Sequence, residues 1–248
     1  MKLRHIISVF TGAFVSLSTL AADNHAAPAW QPTPKNYSIN QIRDLALIYQ
    51  GGRHRPDWTP EQFVPYVTHT FADGSKDWLF DGFLFLEFVD GDRQYIPGLR
   101  MANARKSDWL HSLDRVFEPG KSLDALNRCI ARQKELLGDP GFKHKVVLTV
   151  LPPIHHQKDW GELNGRPLDF DNVDDCKLAV RWFLDQLVDR FNNGGYDNLE
   201  LTGIYWVDED MLHFDGFPKH VAPYVHEKGL QFVWIPYFKA CGYDRWQD

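Results

Sequence analysis

The 248-residue sequence is 44% hydrophobic and 14% aromatic, and its 27 Lys and Arg against 33 Asp and Glu leave a formal net charge of −6. Its scattered cations form no basic stripe, which argues against nucleic acid and against an acidic membrane surface as partners. Cys129, Cys176 and Cys241 show no CxxC spacing, so neither a zinc site nor a disulfide framework is expected; one oxidised pair, Cys129 with Cys176, stays open beside the alternative of buried free thiols.

In chain order, Lys2 and Arg4 precede an apolar run from Ile6 to Leu20 that ends in Ala21-Ala22. This predicts a signal peptide over residues 1–22 and export to the periplasm or beyond, because a membrane span needs about 20 apolar residues. Residues 23–36 are rich in Ala and Pro without a hydrophobic period, an extended leader. The folded domain is expected over residues 37–248, about 210 residues, enough for one substantial core.

Five short runs rich in β-branched or aromatic residues read as strands buried on both faces: LALIYQ (45–50), GFLFLEF (82–88), KVVLTVL (145–151), LELTGIYWV (199–207) and LQFVWIPYF (230–238). Helical patterns separate them. Thr59-Pro60-Glu61-Gln62 carries a cap, a first-turn Pro and a capping-box Gln. Ser122 reads as the cap of a helix through Leu137 with Gly138 as its stop. Apolar residues from Val180 to Phe191 recur at helical spacing before Gly194-Gly195, and a shorter helix is bracketed by Pro218 and Gly229. Strand alternating with helix predicts a parallel α/β sheet. The turn after the first run, Gln50 to Pro56, lacks GxGxxG, which favours a TIM-barrel-like (β/α) fold over an open nucleotide-binding sheet. Only five of the eight strands of a barrel are readable, so the sequence is either a fragment of a longer protein or not a closed barrel.

Ligands of parallel α/β folds bind beyond the carboxyl ends of the strands. Those positions combine acids with aromatic rings, the inventory for sugars: flat rings cover apolar sugar faces and carboxyls act on the glycosidic oxygen. Glu209, between Asp208 and Asp210, is the leading candidate for a general acid/base, since burial and like charge raise a carboxyl pKa. Alternation places Glu209 on one face with Tyr205 and Val207, and Asp208 on the other with Trp206. Glu87 is the candidate second carboxylate, its alternative being a buried acid paired with an arginine. Candidate substrate contacts are Trp58, Trp160, Trp206, Tyr205, Trp234, Tyr237, Asp208, Gln50, Arg53 and His155; for Trp206, core and ligand-facing placements stand equally. The His155-His156 pair lacks a known ligand spacing and adjacent side chains on extended chain point apart, so no metal and no cofactor are expected.

The segments LALIYQGG, PYV (65–67), DWLFDGFLFLEF (77–88), KSDWLHSLDRVFEPGKSLDALN (106–127), KVVLTVLPP (145–153) and LELTGIYWVDED (199–210) together resemble the bacterial domain of unknown function 4855, similar to barrel glycoside hydrolases, from about Ala46 onward. The resemblance implies a TIM-barrel-like domain that cleaves or binds an oligo- or polysaccharide outside the cytoplasm. In sugar-cleaving barrels a Glu after the fourth strand commonly serves as acid/base, which Glu209 matches by strand count, and the nucleophile after the seventh strand has no counterpart here. A non-catalytic carbohydrate binder or an inactive truncated barrel is the alternative expectation.

Overall fold

Each of the five apolar runs forms a strand of one parallel sheet: β1 (Leu45–Tyr49), β2 (Gly82–Leu86), β3 (His144–Val150), β4 (Leu199–Trp206) and β5 (Gln231–Trp234). The computed structural model describes residues 42–51, 55, 57–96, 103–211, 216–240 and 242. The expected signal peptide and leader lie outside these, as do Arg53 and Cys241.

The strands stand in the sheet in their chain order, all neighbours parallel. A doubly wound sheet reverses its order at a switch point, and this one does not. Right-handed crossovers then bring every helix to one face, and the packing agrees. Phe63 of α1 (Pro60–Val67) meets Phe83 and Phe85. Leu113 and Val116 of α2 (Lys106–Val116), with Phe183 and Leu187 of α4 (Val173–Asn193), close over Phe85 and Leu148. Between these two helices in the chain runs α3 (Ser122–Leu137), and Trp206 packs on Phe217 at the start of α5 (Pro218–Glu227). Among the described residues three two-stranded antiparallel ladders decorate the loops. Among the described residues no pairing joins β1 to β5, and the architecture is mixed α/β with a five-stranded parallel sheet. No helix among them is long and apolar enough to cross a membrane.

Local signals act mostly as expected. The Thr59 backbone N–H donates to the Gln62 side chain at 2.8 Å, completing a capping box. Gly138 ends α3 at φ 85°, a left-handed conformation that costs glycine little. Ser122 departs from expectation: it is the first residue of α3, and its buried hydroxyl accepts from Gln50 Nε2 instead of capping the helix. At the start of β3 the ring of His144 is enclosed by Trp78, Phe83 and Phe142, with centroids 5.2, 6.1 and 5.1 Å away. Neither of its nitrogens has a hydrogen-bond partner, and burial pushes its pKa down to about 4.

Cys129 and Cys176 are buried and unbridged, and burial pushes both thiols up to about 12. Since the thiolate is the nucleophile, iodoacetamide near pH 8 should leave both unlabelled in the native protein and label both after denaturation, as peptide mass mapping would show. Labelling of either in the folded state would contradict the packing.

Candidate functional site

Register sorts the side chains of the sheet into two faces. In-register neighbours on parallel strands point the same way, so Tyr49, Leu86, Thr149, Tyr205 and Val233 form one row, with Leu47, Leu84, Val147 and Gly203 in the row below. Phe83, Phe85, Leu148 and Trp206 belong to the opposite, helix-covered face. Gly203 stands at a close approach: a Cβ there would lie 3.2 Å from the Gln231 carbonyl, a tight contact, and 3.4 Å from Val147 and Val233.

Glu209 follows β4 on the face of the Tyr49–Val233 row. The Tyr205 hydroxyl, from a side chain almost wholly buried, donates to Glu209 Oε1 at 3.1 Å. Burial holds the Glu209 carboxyl above the ordinary range, and the bond from Tyr205, which favours the charged form, offsets part of that rise. Burial and the neighbouring Glu209 also raise the pKa of the tyrosine, so it stays a donor. The backbone N–H of Tyr237 donates to the Glu209 carbonyl at 3.1 Å, which ties the two backbones together, and the rings of Tyr237 and Phe238 are open to solvent, 67% and 68% exposed. At the far end of the row Tyr49 is partly exposed, with the Arg55 guanidinium 4.7 Å from its ring centroid and Phe88 at 6.1 Å. A half-buried carboxyl with a raised pKa, one fixed phenolic donor and open aromatic rings nearby is equipped to transfer a proton to a ligand that lies against those rings.

Glu87 lies elsewhere. It faces the helix side with Phe85 and Leu148, 3.4 Å from Arg115 Nε of α2, and Arg115 in turn reaches Asp90 at 3.4 Å. The alternative of a buried acid paired with an arginine is the one realised, and Glu87 and Glu209 are not brought together on one face. Burial raises Glu87 to about 7 against the pull of Arg115. Neither carboxyl oxygen has a hydrogen-bond partner, and Glu87 lines a small cavity, about 10 Å³ of room for a water's centre, with Gln50 and Ser112. Gly51 is fitted to this acid: at φ 69°, a Cβ would meet Glu87 Oε1 at 2.6 Å and the Val89 carbonyl at 2.4 Å.

Several expected sugar contacts are structural. Trp160 is 1% exposed and packs against Trp109, Phe170 and Trp182; Trp206 is 1% exposed between Phe217 and Phe232. Gln50 is buried on Ser122. Trp58 stacks on Phe63 at 4.9 Å while its indole N–H donates to the Tyr49 carbonyl at 2.9 Å. The Trp234 indole N–H donates to the Asp208 carbonyl at 2.9 Å, fixing the turn that presents Glu209, and Asp208 itself is buried. His155 is exposed on the loop after β3. Sequence reasoning missed Arg115 and Tyr95 around Glu87; they come from separate elements and share no spacing that marks them.

Residues 44–248 match the model of a family described as a domain of unknown function, DUF4855. No curated protein and no solved structure matches the chain.

Proposed function

The chain belongs to the DUF4855 family, and from that premise and the surroundings of Glu209 we propose that it is an exported, glycoside hydrolase-like protein whose five strands are part of a (β/α)-barrel arrangement. Glu209 is its general acid/base, Tyr205 sets the orientation and acidity of that carboxyl, and Tyr237 offers an aromatic platform for a sugar ring. The observation that carries this reading is the half-buried Glu209 carboxyl, beyond the fourth parallel strand, raised in pKa and held by a buried phenol. Export rests on the amino-terminal pattern alone.

A second reading, a carbohydrate binder without turnover, is favoured by one specific finding. Glycoside hydrolysis uses two carboxyls about 5–5.5 Å apart for retention or 6.5–9.5 Å for inversion, and none of the strand residues in the two rows is an acid. The two readings separate when the protein is incubated with a panel of oligo- and polysaccharides while new reducing ends and calorimetric binding are both followed. Cleavage that depends on Glu209 supports the enzyme; binding without cleavage selects the binder; neither, across neutral and acidic glycans, removes both.

The platform makes its own prediction. Tyr237→Ala should weaken glycan binding roughly ten-fold, the worth of one well-stacked ring, as a rise in KM or Kd with kcat nearly unchanged. An unchanged affinity would remove Tyr237 from the site.

A further inference from the structure

Adjacent side chains on extended chain point apart, yet the rings of His155 and His156 lie stacked with centroids 3.7 Å apart. The reason is local. His156 takes φ 67°, a left-handed conformation that non-glycine residues rarely adopt, and this turns its imidazole to the side of its neighbour. The same loop then doubles back. The Phe170 N–H donates to the Gln157 carbonyl at 2.9 Å and the Leu168 N–H to the Gly161 carbonyl at 3.0 Å, so the residue before Gln157 and the residue after Phe170 are brought side by side. Trp160 and Phe170, both buried and 5.5 Å apart between centroids, pin the loop to the core. Asp171 thereby meets His156 Nδ1, and one ligand atom from each of His155, His156 and Asp171 lies within 4.8 Å of the other two.

We propose that His155, His156 and Asp171 form a binding site for a divalent transition-metal ion of the zinc type. Two imidazoles and one carboxylate are a ligand set that such ions accept, and three protein ligands leave positions open to solvent or to a bound molecule. On a tetrahedral zinc the donor atoms stand about 3.4 Å apart. Closing to that spacing is asked of three exposed side chains, while the backbone that juxtaposes them is already fixed from beneath. Among the described residues the Lys158 ammonium occupies the neighbourhood, 2.9 Å from Asp171 and 3.3 Å from Asp169, on a largely exposed side chain that must swing aside when a metal binds. The site opens beyond β3, at the same end of the sheet as Glu209 beyond the adjacent β4, and its existence does not depend on the glycosidase reading.

The test is calorimetric titration of the full, tag-free chain with Zn²⁺ alone, with Co²⁺ absorption as a second readout of imidazole coordination. One saturable equivalent is expected. His155→Ala and Asp171→Asn should each weaken it by more than about ten-fold, the least that loss of a ligand costs, with unchanged thermal melting because the side chains are exposed. Lys158→Ala should tighten binding several-fold by removing the competing ammonium. Absence of saturable binding, or binding that His155→Ala and Asp171→Asn both leave unaltered, would overturn the assignment.

Discussion

Glu209→Gln is expected to lower glycosidic turnover by about 10²- to 10⁴-fold, the range that a positioned general acid contributes, with little change in substrate affinity or folding. Glutamine keeps the shape of the side chain and an oxygen that still accepts from the Tyr205 hydroxyl, so what is lost is the transferable proton. The pH dependence carries a second, independent signature. The acid must be protonated to act, so activity falls as pH rises through its raised pKa. The bond from Tyr205 favours the carboxylate and holds that pKa lower than burial alone would. Tyr205→Phe removes the bond, so the alkaline limb of kcat/KM should move to higher pH while a residue that merely packs would leave the limb in place. Full activity in Glu209→Gln would sink the assignment of the acid; an unmoved limb in Tyr205→Phe would sink the role of the phenol.

How far the site is legible in the sequence depends on which physical rule is asked to reveal it. The five strands follow from short apolar runs, with ends within two residues of those expected except the last, which stops at Trp234 where the run continues to Phe238; their monotone order does not follow from the runs, since right-handed crossovers also build sheets that reverse at a switch point. Alternation also places Glu209 correctly with Tyr205, because the register shift in β4 lies between Leu201 and Gly203, upstream of both. The same rule says that Glu87 shares a face with Phe83 and Phe85. It does not say which face the helices cover, since β2 is apolar on both sides; that is why Glu87 reads as a partner of Glu209 and is instead a partner of Arg115. Tryptophan type carries no burial signal either. Trp160 sits in a polar stretch of sequence, but the loop folds back and inserts the indole between Trp109 and Phe170. The histidine pair is the plainest case: its convergence rests on one left-handed residue, His156, where the sequence supplies no glycine to announce it.

Two buried groups should give the protein an unusual stability profile, visible only when one of them is removed. Glu87 titrates at about 7 when folded and near 4.5 when unfolded. Its protonated form is favoured in the fold, so its contribution is fully present below 4.5 and is lost as pH rises through 7. His144, at about 4 when folded and near 6.5 unfolded, is favoured as the neutral ring, so its contribution is present above 6.5 and lost as pH falls through 4. Each shift corresponds to about 3 kcal/mol, and between 4.5 and 6.5 the two run in opposite directions and nearly cancel. Carboxyls held low by hydrogen bonds, Asp57 by Lys121 and Asp175 by Arg166, weaken the fold only below that window. Glu87→Gln should therefore expose the histidine, with stability rising by about 2–3 kcal/mol as pH goes from 4.5 to 6.5; Arg115 retains Asp90 as its partner. His144→Phe, which replaces an unpartnered ring by an apolar one among Trp78, Phe83 and Phe142, should expose the acid and reverse the slope. Urea midpoints measured across that range for both variants decide the matter: slopes of the same sign would mean that one of the two groups is not buried as the fold places it.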